Sequence, residues 1–345
     1  MMSGLVEIVA SGFANTVQDL GRMGYRHLGV PVSGSLDPCV AACANALVGN
    51  EAGAACIEIR CIGPELRVVR GPVRVALAGA IGAHVVMRGG GERALLAWHS
   101  AMLDVGDGLR VGALAGGVAY VAVSGGFGTP SELGSRSTHT GAGIGGVRGG
   151  ALEQGDLLPC QLVSGEDRLE RWQSAWVHRA GAIRVIPGPQ ADAFDASAIR
   201  ALLDHDWGVT AEMDRMGMRL AGPVLAHRGP AATEIVSDGV VPGSIQVPGN
   251  GQPIVLLADC QTVGGYPKIA TVISADLPRL AQCGPGDRLR FAVVDGAMAR
   301  AALLERHARH ARWMSGIERY RSPGYLDELA LYRANLISGM IDART

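Results

Sequence analysis

The sequence predicts a mainly β protein: two β-barrel-type domains followed by a helical C-terminal tail. Short β-prone runs recur at 66–78, 109–124, 183–187, 254–258 and 288–294, punctuated by many of the 50 glycines in the 345-residue chain. A Gly-Asp pair stands just ahead of an apolar run at Gly106-Asp107, Gly155-Asp156 and Gly286-Asp287. Glycine supplies a turn conformation closed to other residues, and the aspartate can bond the backbone two residues on. From Ala297 the texture changes to arginine- and alanine-rich helical sequence, AMARAALLERHARHARWM, continued by LDELALYRANLIS.

Two of the Gly-Asp turns precede residue 165 and one follows residue 280, which sets the expected domains at 1–170 and 180–295 and the tail at 297–345. The joint falls near 165–182, where EDRLERWQSAWVHRA reads as charged and locally helical. Within the domains, 38–47 follows Asp37 and 193–204 follows Asp192, each aspartate placed as an N-cap. Both helices are expected to close barrel openings. On the tail, His307 and His310 stand at i, i+3, and an Arg/His-rich amphipathic helix is a commoner reason for that spacing than a ligand pair.

Apolar residues make up 48%, charged residues 18%, and net charge is −1, which excludes a disordered chain and an electrostatic nucleic-acid binder. The opening MMSGLVEIVASGF lacks the pattern of a signal peptide, and no uncharged apolar run reaches about 18 residues. A cytoplasmic protein with neither a nucleic-acid nor a membrane partner is expected. The 7 cysteines (39, 43, 56, 61, 160, 260 and 283) are odd in number and widely spread, so they read as reduced, mostly buried thiols. Their spacing matches no zinc site, and no metal is expected.

Three polar constellations stand out. In TVQDLGRMGYRHLGVPVSGSLD, from Thr16 to Asp37, polar residues lie between glycines in a stretch too irregular for one strand. It reads as a loop that gathers Gln18, Asp19, Arg22, Ser33 and Asp37, and an Asp19–Arg22 pair that merely holds the loop explains it equally well. The second constellation joins 124–127, the run Leu133-Gly-Ser-Arg-Ser-Thr138 and the glycines of 141–146. Freed backbone N–H groups with Arg136 and Ser137 suit an anion such as phosphate or carboxylate. The Walker ending and the strand-GxGxxG-helix context are both missing, however, and glycine-rich β loops without ligands are common.

The third constellation flanks the apolar run 254–258 with loops carrying Asn250, Gln252, Asp259, Gln261, Thr262, Tyr266 and Lys268. Amides and carboxylates at the ends of a buried strand line a pocket rim. The 31 basic residues are 30 Arg and one Lys, and that lysine is Lys268 in GGYPKIA. An ammonium is compact and loses its proton when buried, which a guanidinium does not. Beside Asp259 it would stay charged and hold a carboxylate, carbamate or phosphate; without a partner it would act as a base. The alternative is a chance survivor of arginine-favouring base composition on an exposed turn, and a functional lysine is favoured over it. No G-x-S-x-G nucleophile elbow is present.

These blocks also carry a resemblance. TVQDLGRMGYRHLGVPVSGSLD, LGSRSTHTGAGIGGVRGGALEQGD and GSIQVPGNGQPIVLLADCQTVGGYPKIATVISADLPRLAQCGPGDRLRF closely resemble the biotin-dependent carboxyltransferase, or allophanate hydrolase subunit 2, family over roughly residues 5–295. Standalone bacterial members of this size are called the C subunit of 5-oxoprolinase. The resemblance implies cyclophilin-like β-barrels and a cytoplasmic subunit of a hetero-oligomeric, ATP-dependent 5-oxoprolinase that opens 5-oxoproline to glutamate. It implies as partners the B subunit of 5-oxoprolinase, related to allophanate hydrolase subunit 1, and a third hydrolytic subunit, with ATP bound here or shared with them. On the matching positions it implies catalytic roles for Lys268, Asp259, Asn250 and Gln252. Substrate contacts are implied for Thr16, Gln18, Asp19, Arg22, Ser33, Asp37, Arg136, Ser137, Gln261, Thr262 and Tyr266.

Cys260 stands where the family carries a larger, often basic residue, and 139–145 departs from its aromatic-containing glycine segment; both bear on the substrate. Fused relatives instead move a carboxyl group from carboxybiotin to urea. In that alternative biotin is carried on a separate protein, because no Met-Lys-Met type attachment segment is present, and a urea-like molecule is the acceptor. A non-catalytic regulatory subunit that binds a partner protein is the remaining alternative.

Overall fold

The computed structural model describes residues 4–163 and 169–320. The chain is mainly β, as the sequence predicts. Strands Leu157–Cys160, Gly4–Ala10, Glu65–Arg70, Gly108–Val111, Ala83–Val86 and Glu92–Leu95 form, in that order, one antiparallel sheet. A second runs Thr16–Gln18, Cys56–Ile59, Ala119–Val123, Val73–Ala78, His99–Leu103, Arg171–Trp172 and Glu318–Arg319. Their facing sides share a core of Val6, Ile8, Leu66, Val75, Leu77, Val121 and Val123, among others.

The central strands VRVALA and AYVAV are buried on both faces, and their alternation divides side chains between two cores. Val75, Leu77, Val121 and Val123 fill the space between the sheets, while Ala76, Ala78, Tyr120 and Ala122 face the other way. Helix α1 (Pro38–Val48) packs on that second face. Alanines on both surfaces let its backbone approach closely, so α1 lies against a sheet instead of closing a barrel opening. Asp37 caps it as expected, accepting from the N–H groups of Cys39 and Val40 at 3.1 Å each.

The second half builds an eight-stranded sheet in the order Arg288–Leu289, Trp207–Met213, Gly217–Ala221, Ile254–Leu256, Ser244–Gln246, Lys268–Val272, Ile183–Pro187 and Phe291–Val293. Arg288–Leu289 and Phe291–Val293, separated by one residue, stand at opposite ends of this order, so the sheet curls into a nearly closed barrel. The expected run 183–187 is a strand as drawn, whereas 66–78, 109–124 and 288–294 each divide in two. Gly71-Pro72 breaks the first, because proline has no N–H for the ladder.

All three Gly-Asp pairs are the same turn. Gly106, Gly155 and Gly286 have φ of 90°, 88° and 94°. The carboxylates of Asp107, Asp156 and Asp287 accept from the N–H groups of Asp104, Glu153 and Gly284 at 2.9, 2.8 and 2.8 Å, and each aspartate N–H returns to the carbonyl of that same residue. The bond thus runs three residues back, not two residues on, because the left-handed glycine folds the chain over the preceding peptide. Each turn delivers a strand.

Three local expectations are corrected. The helical reading of 166–180 fails over its described part, 169–180, which is extended with the short strand Arg171–Trp172; residues 166–168 lie outside the described residues. Tertiary bonds override its propensity: Gln173 donates to the Trp313 carbonyl at 3.1 Å, the Trp313 indole to Ser174 at 2.7 Å, and Arg309 to Val177 at 2.7 Å. Helix α2 spans Ala196–Asp204, three residues later than expected, because fully buried Phe194 pairs with His227 in a β-bridge. Between α2 and the tail, the described residues add one short α-helix, α3 (Leu277–Leu280).

The tail begins as helix α4 (Gly296–Ser315), capped by Asp295, and the expected helical continuation at 326–338 lies outside the described residues. His310 docks on α1, its Nε2 3.0 Å from the Cys39 carbonyl, while His307 turns to Arg306. Of the i, i+3 histidines, His310 therefore serves helix packing and His307 stays exposed. Burial pushes the Cys39, Cys56 and Cys160 thiols up to about 12, and all 7 cysteines are free. No helix among the described residues is long and apolar enough to cross a membrane.

Candidate active site

Strands Trp207–Met213 and Gly217–Ala221 form a hairpin whose tip is Asp214-Arg215-Met216. The Asp214 carboxylate builds the tip by accepting from the N–H groups of Met216 at 2.7 Å and Gly217 at 3.1 Å. The tip throws Arg215 across to the first half of the chain. Its Nε and Nη2 grip Asp259 at 2.8 and 3.0 Å, Nη2 also donates to the Gly34 carbonyl at 2.6 Å, and Nη1 donates to Glu58. Burial pushes the Arg215 pKa down, but the charges of Glu58 and Asp259 outweigh it and hold it raised. Glu58, 1% exposed, also accepts from the Leu36 N–H at 2.8 Å and the Tyr120 hydroxyl at 2.7 Å.

Beside this network a cleft of about 490 Å³ opens between the halves, lined by Thr16, Arg60 and His139 from one side and Met213, Arg215 and Asp259 from the other. Arg60 is half-buried and has no hydrogen bond or ion pair among the described residues, so its guanidinium is available to an anionic group. The Nδ1 of His139 accepts from the Ala142 N–H at 3.0 Å, which puts the proton of the neutral ring on Nε2. The cleft therefore offers one cation for binding, one imidazole donor and a carboxylate fixed by a bidentate arginine.

The first two sequence constellations do converge. Asp19 accepts from the Ser135 and Ser137 hydroxyls and the Arg136 N–H, each at 2.6 Å, and from the Gly21 N–H at 2.8 Å. Burial alone would raise its pKa, but these four bonds hold it below the usual value. Asp19 is thus held by serines and backbone, not by a pair with Arg22. Arg22, fully buried, donates Nη2 to the Ser137 carbonyl and leaves Nε and Nη1 without partners. Gln18 bonds Thr16 at 2.9 Å and the Thr138 carbonyl at 3.0 Å, carrying the order back to the cleft wall.

Other expected site residues are placed elsewhere. Asp37 is fully buried and offers no face to a substrate: beyond the α1 cap, its Oδ2 takes His178 at 2.6 Å and Gln282 at 2.7 Å. Ser33 sits at φ 57° and ties to the Ala258 carbonyl through its N–H at 3.2 Å. Asn250 and Gln252 shape a turn: Asn250 accepts from the Gln252 N–H at 3.1 Å, and the Gln252 amide doubly bonds the Gly222 backbone at 3.1 Å. Thr262 receives the Val240 N–H through its carbonyl, and Gln261 and Tyr266 line a different cleft.

Lys268 is corrected as well. It is 2% exposed, and its ammonium bonds Asp238 at 2.6 Å and the Gly239 carbonyl at 2.8 Å, while Asp259 belongs to Arg215. It straps Asp238–Gly239 to the barrel. Lys268, Gln190 and the Gly239 N–H pull the Asp238 pKa to about 2 from 3.8. This contribution to stability is complete above the unfolded value and disappears as pH falls through about 2. In Lys268→Met the Asp238 carboxyl is expected to titrate higher by NMR, by the part of the shift that the ammonium supplies, while Gln190 and the Gly239 N–H keep the rest; an unmoved titration would show that the strap does not form.

Sequence reasoning missed Arg215, Glu58 and Asp238. Glu58 left a signal, an acid inside CIEI, because an acid in a fully buried strand needs a partner. Arg215 left none, since a charged residue in a hairpin turn is ordinarily solvated.

The family model for the carboxyltransferase domain, subdomain A and B, matches residues 28–293. The chain belongs to this carboxyltransferase family. Carboxyltransferase-family relatives include the 5-oxoprolinase C subunit of Escherichia coli, 37% identical over 83% of this chain and 90% of that protein. The 5-oxoprolinase C subunit of Haemophilus influenzae is 33% identical over 88% and 94%. The crystal structure of Kluyveromyces lactis urea carboxylase superposes with a TM-score of 0.79 at 25% identity, covering 92% of this chain and 30% of that one.

Proposed function

We propose that this chain is the C subunit of a cytoplasmic, ATP-dependent 5-oxoprolinase that converts 5-oxoproline, ATP and water to glutamate, ADP and phosphate. It works with a B subunit related to allophanate hydrolase subunit 1 and with a third, hydrolytic subunit, and ATP is bound here or shared with them. The observation that carries this reading is the order of identities: 37% and 33% to proteins named as the C subunit of 5-oxoprolinase, against 30% to a putative urea carboxylase. The inter-half cleft is the reaction site in this reading. Arg60 takes a carboxylate or phosphate, and the Arg215-held Asp259 with the Nε2–H of His139 orients the amide undergoing attack.

The family model and the urea carboxylase relatives favour a second reading, carboxyl transfer from carboxybiotin to a urea-like acceptor. In it the biotin is carried outside these 345 residues, since their only lysine is buried in an ion pair.

Cys61 is exposed and lines the cleft, whereas burial pushes Cys283, on the same cleft, up to about 11. Reconstituted with its partner subunits, the protein is expected to hydrolyse ATP only when 5-oxoproline is present. Maleimide alkylation, at Cys61 first, is expected to abolish this, with 5-oxoproline slowing the modification. Turnover of urea with a biotinylated partner and none of 5-oxoproline would reverse the assignment. Undiminished turnover after full Cys61 labelling would move the site out of this cleft.

A further inference from the structure

We propose that a second cleft, on the far side of the Asp214-Arg215-Met216 tip, is a binding site for a small planar amide, which it holds through the side chain of Gln246. The cleft measures about 430 Å³ and shares Met213, Asp214 and Met216 with the inter-half cleft, so the hairpin tip is a partition between two chambers. Its opposite wall carries Gln246, Gln261 and Tyr266.

Gln246 lies mid-barrel, paired with Ile254 on one side and Lys268 on the other, and is 2% exposed. Its Oε1 meets Gln261 Nε2 at a long 3.5 Å, and its own Nε2 has no partner. Exchanging the two ends of the amide moves the unpaired atom without removing it. Buried amide donors are ordinarily satisfied, so an unsatisfied one on the wall of a cleft points to an acceptor brought by a ligand.

The surroundings keep that acceptor position open. A Cβ on Gly264 would fall 2.5 Å from Gln246 Nε2 and 3.4 Å from Gln261 Nε2, so any side chain there would push the amides aside. Tyr266 is 41% and Met216 46% exposed, and the Tyr266 hydroxyl has no partner among the described residues. A flat aromatic wall, a polarisable thioether and one inward N–H donor suit a small ring or plane with a carbonyl oxygen. A lactam and urea share that chemistry. The inference rests on the proposed chemistry at an amide carbonyl only for its choice of probes.

The test titrates the isolated full chain with 5-oxoproline and, separately, with urea, following side-chain amide resonances by NMR. It then measures KM in the reconstituted complex. Saturable binding of 5-oxoproline that shifts the Gln246 amide is expected, weakened about tenfold in Gln246→Met and in Gly264→Ala. KM for 5-oxoproline should also rise, with a smaller change in kcat, because the amide bound here braces the hairpin tip that carries Arg215 into the reaction cleft. Gly264 has an ordinary φ, so Gly264→Ala keeps the test decisive if Gln246→Met fails to fold. Saturable binding of urea alone at this amide would support the site while overturning the 5-oxoprolinase assignment. If the complex turns over 5-oxoproline with KM unchanged in both variants, the function stands and this site falls; absence of saturable binding by either probe also overturns it.

Discussion

Arg215→Met is expected to destabilise the protein by about 3–5 kcal/mol at pH 7, because it leaves two buried carboxylates without their shared cation. Among the described residues Arg215 alone bonds both Glu58 and Asp259, and their side chains are 1% and 5% exposed. A methionine fills the space of the stem but supplies no donor to these four contacts, two of which, to Glu58 and the Gly34 carbonyl, cross the halves. Urea unfolding at pH 7 measures the loss, and adding Glu58→Gln with Asp259→Asn, which removes the unpaired charges, should recover part of it. Arg215→Lys should fall between, since one ammonium cannot reproduce the fork on Asp259 and reach Glu58 as well. A loss below about 1 kcal/mol that the added amides do not recover would reduce the network to a surface-like ion pair.

Gly145→Ala is expected to cost about 2–5 kcal/mol, and its neighbour Gly143 supplies the control. Both glycines are left-handed, at φ 72° and 65°, so an alanine at either bears the same backbone penalty of about 1–2 kcal/mol. At Gly143 a Cβ meets nothing within 4 Å, whereas at Gly145 it would lie 2.0 Å from the Ser137 carbonyl and 2.2 Å from Arg22 Nη2. Those two atoms are bonded to each other, so the methyl must break a buried contact that ties the 16–22 segment to the 135–138 segment. Overpacking of this kind adds about 1–3 kcal/mol. Chemical denaturation of the two variants should therefore separate them; equal costs would mean that the loop shifts freely and that Arg22 is not locked by it.

The GAGIGG run shows what was legible. Glycines beside polar loops suggested freed N–H groups around an anion, and one of them, Gly145, gives room to a buried arginine from another segment. Sequence could report that side chains are absent at these positions but not which neighbour occupies the space. The Asp19 hub was partly readable, since its serines and the Arg136 backbone lie in one expected block. Its partner choice was not, because Asp19 and Arg22 are close in sequence yet the carboxylate turns to serine and backbone donors and the guanidinium to a carbonyl. Lys268 taught the same lesson. Its rarity drew attention, but the carboxylate that holds it is Asp238, thirty residues away on a short paired strand.

By itself the sequence determined the mainly β class, the glycine-aspartate turns that start three strands, the α1 cap at Asp37 and the family. These depend on local patterns: alternation, turn conformations closed to other residues, and long ordered blocks. Only the tertiary structure decided which charges meet. Arg215 reaching Glu58 and Asp259, Asp37 joining His178 to Gln282, and Gln246 standing unpaired on a cleft wall all link segments far apart in the chain. A buried polar group is satisfied by whatever folding brings within about 3 Å, and no pattern along the chain encodes that distance.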